Sequence, residues 1–442
     1  MKRILISDTP NVIGQKVKLS GWVNVRRDHG KLIFIDLRDR TGIIQMVVIP
    51  DKIEAYQASK DVRSEYVITV EGLVKERPGG QVKENENPLG RVELEVEKME
   101  IISRVEEELP FDVSKKDLDV NLVTLLDNRN LALRNKKVND IFKVYSQILK
   151  SYGDVMREKG FLEIKTPKIL SATTEGGANF FKIKYFKREA FLAQSPQFYK
   201  QAGVGAFERV FEIGTVFRAE PHFTTRHVNE YTGLDAEMGF IENFSEIMDE
   251  LQSVMKRIMK DVKEKCSKEL AEYESEILVP EENFPRIRLT EALEILKKEY
   301  GKETEGIDID PEGERLICEW AKKNHGSDFI FITHYPSSAK PFYTMPSSDD
   351  PQFTEGFDLI FNGVEIATGS QRIHNYEQLV GNIKKHGLNP EDFKDYLEVF
   401  KIGMPAHGGW GLGSERIVQK ILGIASIKEA ILFPRDVKRL AP

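Results

Sequence analysis

Short alternating runs dominate the first hundred residues. VKLSGWVNVRR, KLIFIDLRD, IIQMVVI, EYVITVEGLVKE and RVELEVEKMEII are rich in Val and Ile, and turn signals such as HG, RTG and RPGG separate them. In the second run Leu32, Phe34, Asp36 and Arg38 fall on one face and Ile33, Ile35 and Leu37 on the other. That is the period-two pattern of a half-buried strand. Five such strands in succession predict a small closed barrel over residues 1–105.

Beyond residue 105 the pattern changes. Residues 106–135 mix charge with Pro, Asn and Asp and show weak periodicity, which predicts a linker. A long helix follows over 138–158, where Ile141, Tyr145, Ile148, Leu149, Tyr152, Val155 and Met156 form one apolar stripe. A second helix near 245–264 carries Ile247, Leu251, Val254, Ile258 and Val262. Between and after them lie strand-like stretches: AFLAQSP, RVFEIGTVFRAE, EYTGLDAEMGFIE, FIFITHYP and FDLIFNGVEIATGSQRI. Strands do not alternate regularly with helices, so residues 136–442 are expected to form an antiparallel sheet flanked by helices, and the chain as a whole is α+β.

Composition narrows the class. Of 442 residues, 40% are hydrophobic and 31% charged, which suits packed cores and excludes disordered or collagen-like chains. The two cysteines, Cys266 and Cys318, form no C-x-x-C pair, so a zinc ribbon or a disulfide scaffold is excluded. No apolar run is long enough to span a membrane, and the N-terminal stretch lacks the features of a signal peptide. A soluble, cytoplasmic protein is expected. Net charge is -7, yet residues 1–50 hold nine Lys/Arg against four Asp/Glu. A basic barrel on an acidic body fits a polyanion-binding module, of which the OB-fold is a common form, and fits a functionless charge asymmetry almost as well.

Neither the G-x-x-x-x-G-K-[ST] loop nor the G-x-G-x-x-G fingerprint occurs. Phosphate would then fall to arginines, whose forked guanidinium matches phosphate oxygens. Arg218 ends the apolar run VFEIGTVFRAE, and Arg416 sits in GGWGLGSERIVQKIL; either could equally be a surface residue. Asp358 and Glu365 flank an NG turn between two apolar strands, an arrangement expected to bring them together as oxygen donors for a hard cation such as Mg²⁺. Arg372 follows on the same strand. Asp235 and Glu237 alternate with Leu234, Ala236 and Met238, which ordinarily marks the wet face of a strand. Gln197 and Lys200 neighbour one another at a helix start in QSPQFYKQ. The eight histidines show no metal-binding spacing.

Together these segments resemble the class II aminoacyl-tRNA synthetases, and within them the compact, archaeal-type aspartyl-tRNA synthetases. The likeness spans nearly the whole chain. GWVNVRRDHGKLIFIDLRDRTGIIQ is similar to the family's anticodon-binding OB-fold, and FLEIKTPKIL, with Pro167, to its first class motif at the dimer interface. RVFEIGTVFRAE with TTRHVNEYTGLDAE resembles the second motif, and GMPAHGGWGLGSERIVQKILG the third. ATTEGGANFF and QSPQFYKQ resemble the aspartate branch.

The resemblance implies roles. Arg218 would hold the ATP α-phosphate, where charge builds as the aspartate α-carboxylate attacks. Glu220, Arg226, His227 and Val228 would line the nucleotide, with Tyr231 stacking on adenine. Arg416 would close the other face and reach the γ-phosphate beside Gly413, Ser414 and Glu415. Glu365, Thr368 and Asp358 would position Mg²⁺. Lys200 and Arg372 would bind the aspartate side chain, Asp235 and Gln197 its ammonium, and Glu175 belongs to the loop that would close over it. Such a clamp should reject asparagine, whose amide would leave buried cations uncompensated. For tRNA, Phe34 would stack on an anticodon base, with Arg27, Gln45 and Glu93 as polar readers.

The family contains members that charge tRNA-Asp alone and members that also aspartylate tRNA-Asn for later amidation by an amidotransferase. His29 after RRD, with Pro78 in the facing RPGG loop, resembles the relaxed members, since an imidazole ring can donate or accept. A neutral turn residue is the plain alternative for His29. Rival readings are a strictly discriminating enzyme, an asparaginyl-tRNA synthetase, and a non-catalytic RNA-binding paralogue. The last would be expected to lose Arg218, Glu365 or Arg416, and all three are present. A homodimer is implied by the resemblance alone.

Overall fold

The computed structural model describes residues 1–79, 88–171, 179–221, 224–304 and 308–442. They divide into two units, Met1–Lys136 and Lys137–Pro442.

In the first unit, β1 (Lys16–Asp28), β2 (Ile33–Asp39), β3 (Gly42–Val48), β4 (Val67–Glu76) and β5 (Val92–Ser103) close into a barrel in the order β1-β2-β3-β5-β4. Alternation sends Val17, Leu19, Ile33, Ile35, Leu37, Ile44, Met46, Ile68, Val70 and Leu94 into one core. Phe34, Asp36 and Arg38 therefore face outward. The helix Ile53–Asp61, between β3 and β4, has no counterpart in the sequence reading. It buries only Ala55 and Ser59, too little to leave an apolar stripe.

The segment read as a linker, 106–135, groups with the first unit and carries two short helices, Leu122–Asp127 and Arg129–Ala132. The Asn121 side chain caps the first, accepting from the Thr124 N–H at 2.9 Å. Helices of six and four residues are too short to register as a period.

The second unit adds β6 (Leu162–Glu163), β7 (Ile169–Leu170), β8 (Lys182–Tyr185), β9 (Arg188–Leu192), β10 (Arg209–Phe217), β11 (Glu230–Gly239), β12 (Arg286–Arg288), β13 (Phe329–Thr333), β14 (Gly356–Phe361), β15 (Val364–Arg372) and β16 (His407–Gly413). Eight of these form one sheet, β12-β13-β14-β15-β16-β11-β10-β6, and β7-β9-β8 form a small second one. The six central strands pair antiparallel, as expected; the outermost pairs, β12 with β13 and β6 with β10, are parallel, so the sheet is mixed.

The helices Lys136–Glu158, Ser245–Lys265 and Ser414–Leu422 pack on this sheet around Trp410, Phe211, Leu234 and Phe357. Both predicted stripes lie in that core, and two of their members do more. Tyr152 donates its hydroxyl to the Asp235 carbonyl at 3.0 Å, and Tyr145 reaches Glu415 Oε1 at 3.1 Å. Close strand packing needs Gly409, where a Cβ would stand 2.0 Å from the Ala236 carbonyl oxygen. Among the described residues no helix is long and apolar enough to cross a membrane.

The hairpin β14–β15 turns at Asn362 and Gly363, both at positive φ (46° and 76°), the primed turn that an NG pair favours. Its register differs from the expected approach of the two carboxylates. A bulge after Leu359 sets Asp358 opposite Thr368, while Glu365 pairs with Ile360.

Candidate functional site

The central strands β10, β11, β15 and β16 form the floor of a cleft. It brings together Gln197, Lys200, Arg218, Glu220, Arg226, His227, Val228, Tyr231, Asp235, Glu365, Thr368, Arg372, Gly413, Glu415 and Arg416. Two described residues singled out from sequence, Ser414 and Asp358, do not line it. Ser414 lies beneath, donating to the Thr232 carbonyl at 2.9 Å. Asp358 sits at the edge, tied to Lys340. Glu175 lies outside the described residues.

At one end of the cleft four charged side chains are almost fully buried. Lys200 Nζ lies 3.1 Å from Asp235 Oδ1 and 3.5 Å from Glu237 Oε2, and donates to the Trp410 carbonyl at 2.8 Å. Arg372 donates through Nε to Glu237 Oε1 at 2.8 Å, through Nη1 to Ser370 Oγ at 2.6 Å and through Nη2 to the Gly409 carbonyl at 3.1 Å. Two cations thus face two carboxylates. Burial pushes the Asp235 carboxyl up, and Lys200 offsets this only in part. Burial also pushes Glu237 up, but Arg372 and Lys200 outweigh it and hold the group below its ordinary value.

The strand alternation misled here. Alternation alone would set Asp235 and Glu237 on a wet face, yet β11 is central, and from Gly233 onward every one of its residues is buried. Glu237 does not itself line the cleft; it lies fully buried beneath it and pairs with Lys200 and Arg372, which do. Behind the cluster, His407 accepts from Gln201 at 2.9 Å and donates Nδ1–H to the Pro405 carbonyl at 2.8 Å. Burial pushes its imidazole down to about 4.

The other end is arginine-rich and more open. Arg218 lies 3.7 Å from Glu220 and over the Tyr231 ring, 5.7 Å from its centroid. Asn229 fixes this turn by donating its amide to the carbonyls of Arg218 (2.6 Å) and Glu220 (3.3 Å). Arg226 is drawn to Glu314 Oε2 (2.6 Å) and the Gly363 carbonyl (3.1 Å), and His227 lies 3.6 Å from Glu220. Across the cleft Arg416 donates to the Glu365 carbonyl at 2.6 Å and lies 3.4 Å from its carboxylate. Burial pushes Glu365 up, but Arg416, Lys340 and Arg218 outweigh it and keep the carboxyl below its ordinary value. Glu415 is a support: Thr232 N–H and Tyr145 donate to it, and the Ser414 hydroxyl lies 2.9 Å from its carboxylate.

Lys340, Tyr343 and Ser370 also line the cleft and had no signal in the sequence, because Lys340 and Tyr343 belong to an irregular segment without period. Asp358, Glu365 and Thr368 remain candidates for Mg²⁺. Among the described residues no three His, Cys, Asp or Glu side chains converge as a ready metal site. Mg²⁺ is ordinarily held by one or two carboxylates together with substrate phosphates, which suits so sparse a set.

On the barrel, Arg27, Phe34, Asp36, Gln45 and Glu93 form a continuous outward face across β1, β2, β3 and β5. Arg27 grips Asp36 with two hydrogen bonds, 2.7 and 2.8 Å, and Gln45 donates to Glu93 at 3.1 Å. His29 stands edge-on to Phe34 with ring centroids 5.5 Å apart. Pro78 is exposed. Asp36, the fixed partner of Arg27, is a member of this face that the sequence reading left without a role.

Comparison with known proteins agrees with both units. The family described as tRNA synthetases class II (D, K and N) matches residues 121–437, and the OB-fold nucleic acid binding domain family matches residues 17–102. The chain is 46% identical to the aspartate–tRNA(Asp) ligase of Pyrococcus horikoshii over 98% of both chains. It is 42% identical to the aspartate–tRNA(Asp/Asn) ligase of Archaeoglobus fulgidus over the whole of both. Among solved structures, the asparaginyl-tRNA synthetase of Pyrococcus horikoshii with asparaginyl-adenylate superposes with a TM-score of 0.90 at 31% identity, covering both chains completely.

Proposed function

The chain belongs to the class II tRNA synthetases (D, K and N), and from that membership we propose that it uses ATP to join L-aspartate to tRNA through an aspartyl-adenylate. The observation that carries the choice of amino acid is the buried quartet Lys200, Asp235, Glu237 and Arg372. Aspartate brings two carboxylates and one ammonium. Its side-chain carboxylate gives Lys200 and Arg372 an anionic partner, and Asp235, with Gln197 nearby, receives the ammonium. An asparagine amide in the same place would offer Lys200 and Arg372 no anionic acceptor and would turn a further N–H donor toward groups that can only donate. Polar pockets of this kind discriminate by about 10⁴ or more without editing.

Adenylate formation is a substitution at phosphorus. An oxygen of the aspartate α-carboxylate bonds to the α-phosphorus while the bond to the bridging oxygen breaks, and pyrophosphate leaves with that electron pair. Arg218 stabilises charge at the α-phosphate, and Arg416 grips the far end of the triphosphate from the opposite wall. Glu220, Arg226, His227, Val228, Tyr231, Gly413 and Glu415 position the nucleotide, with Ser414 as a support beneath it. Asp358, Glu365 and Thr368 are the donors fit to hold Mg²⁺, whose charge, when bound, offsets that of the phosphates. The terminal adenosine hydroxyl of tRNA then attacks the adenylate carbonyl, and AMP departs.

The test is aspartate-dependent pyrophosphate exchange into ATP. Aspartate should support exchange at a rate at least about 10⁴ times that with asparagine. Faster exchange with asparagine would overturn the substrate assignment and favour the asparaginyl reading.

For the nucleic acid, Phe34 stacks on an anticodon base while Arg27, Gln45 and Glu93 present polar groups beside it. His29, close to Phe34, and the exposed Pro78 support acceptance of both tRNA-Asp and tRNA-Asn, with an amidotransferase acting downstream on the latter. His29→Leu should lower charging of tRNA-Asn relative to tRNA-Asp; an unchanged ratio would leave His29 a turn residue. A homodimer through the face around Pro167 is supported by exposed Leu162 (47%) and Ile169 (48%) beside it. Sedimentation showing a monomer that retains activity would remove it.

A further inference from the structure

Lys340 is a cation that the proposed reaction does not use. It lies in the irregular segment between β13 and β14, which isolated bridges pin at Pro336 to Phe353, Thr344 to Arg372 and Pro346 to Thr354. From this anchored backbone its ammonium reaches Asp358 Oδ1 at 2.6 Å and Thr368 Oγ1 at 3.2 Å. The Tyr335 ring lies 4.0 Å below the nitrogen, and the carboxylates of Asp308 and Glu365 lie within electrostatic range of Asp358 and Lys340. Lys340 and Asp358 are each only 11% exposed.

Asp358 and Thr368 face each other across the hairpin and are two of the three donors assigned above to Mg²⁺. That an ammonium already bridges them shows that these oxygens suit positive charge. It also creates a conflict. An ammonium hydrogen-bonded to Asp358 Oδ1 and Thr368 Oγ1 excludes a metal ion bonded to the same atoms, because the two cations would be within about 4 Å in a site of low effective dielectric.

We propose that Lys340 is the resident cation of this donor set in the nucleotide-free protein, keeping Asp358 and Thr368 aligned and competing with free divalent ions, so that these bind weakly until a nucleotide arrives with one. The inference rests on the reading of Asp358, Glu365 and Thr368 as the Mg²⁺ donors. Lys340 acts here as a positioning residue. Its flexible stem lets the charge leave the donors without movement of the pinned backbone, and the Tyr335 face offers the ammonium a second favourable contact. Nucleotide phosphates supply the additional negative charge that favours the exchange of one cation for the other.

The test is a titration of the nucleotide-free, full-length protein with Mn²⁺ as the Mg²⁺ substitute, reading unbound Mn²⁺ by electron paramagnetic resonance. Lys340→Met should bind Mn²⁺ at least tenfold more tightly than the wild type, and adding Asp358→Asn to Lys340→Met should abolish the gain. Equal or weaker binding by Lys340→Met overturns the proposal. A second measurement needs no variant. In the wild-type protein without nucleotide, saturating Mn²⁺ should raise labelling of Lys340 by an amine-reactive reagent, read by peptide mass. Unchanged labelling overturns the proposal as well. Pyrophosphate exchange is scored separately: a tenfold Mn²⁺ gap in a protein without aspartate-dependent exchange would keep the role of Lys340 and remove the proposed activity.

Discussion

Lys200, Asp235, Glu237 and Arg372 at the cleft are at most 8% exposed, whereas Arg27 and Asp36 on the barrel are 40% and 20% exposed. Both sets are ion pairs with hydrogen-bonding geometry, yet physics values them differently. Removing one member of a buried pair strands a charge away from water, at a cost of about 3–5 kcal/mol. A half-exposed pair contributes about 0–1 kcal/mol, because water replaces either partner. The cleft can therefore hold fixed charges against a small charged substrate. The barrel face can exchange its internal pairs for contacts to RNA at little cost.

The sharpest break in that contrast is Arg372→Met. It leaves Glu237 without its main partner and should cost about 3–5 kcal/mol of stability in denaturant titrations, with at least a thousandfold loss of kcat/KM for aspartate. A loss below tenfold would mean that the quartet is not the amino-acid site.

The buried end should also respond to acid. His407 is held near 4 against an ordinary 6.5, so the unfolded chain binds the extra proton first as pH falls. Its contribution is fully present above 6.5 and is lost between 6.5 and about 4, amounting to about 3 kcal/mol. Because His407→Gln lacks this titration, the stability gap between wild type and variant should shrink by that amount across the window. A gap independent of pH would show that His407 is not held neutral.

On the barrel, Phe34→Ala should raise the KM for tRNA by roughly 5- to 150-fold, equivalent to one lost stacking contact of about 1–3 kcal/mol. Smallest of all, Arg27→Ala should change stability by less than about 1 kcal/mol, measured by thermal melting. A larger loss would place Arg27 among the structural pairs and blunt the comparison.

What the sequence revealed follows the same division. The barrel strands were legible because one face meets core and the other solvent, so alternation survives in the text of the chain. Arg218, Arg416, Glu365 and Arg372 were legible through motif likeness, and the structure gathers them in one cleft. Glu237 was missed because a central strand covered on both faces breaks the link between alternation and exposure. Lys340 was missed because it lies 18 residues before Asp358 in a segment without repeat. The register of Asp358 depends on a bulge, and one inserted residue exchanges which partners face each other. Hydroxyls such as those of Tyr145 and Tyr152 looked like core because their rings are core; only their tips serve the site.

The most direct test is charging of purified tRNA-Asp and tRNA-Asn transcripts with labelled aspartate, beside labelled asparagine. Aspartate should appear on both tRNAs and asparagine on neither. Aspartate on neither tRNA would contradict it.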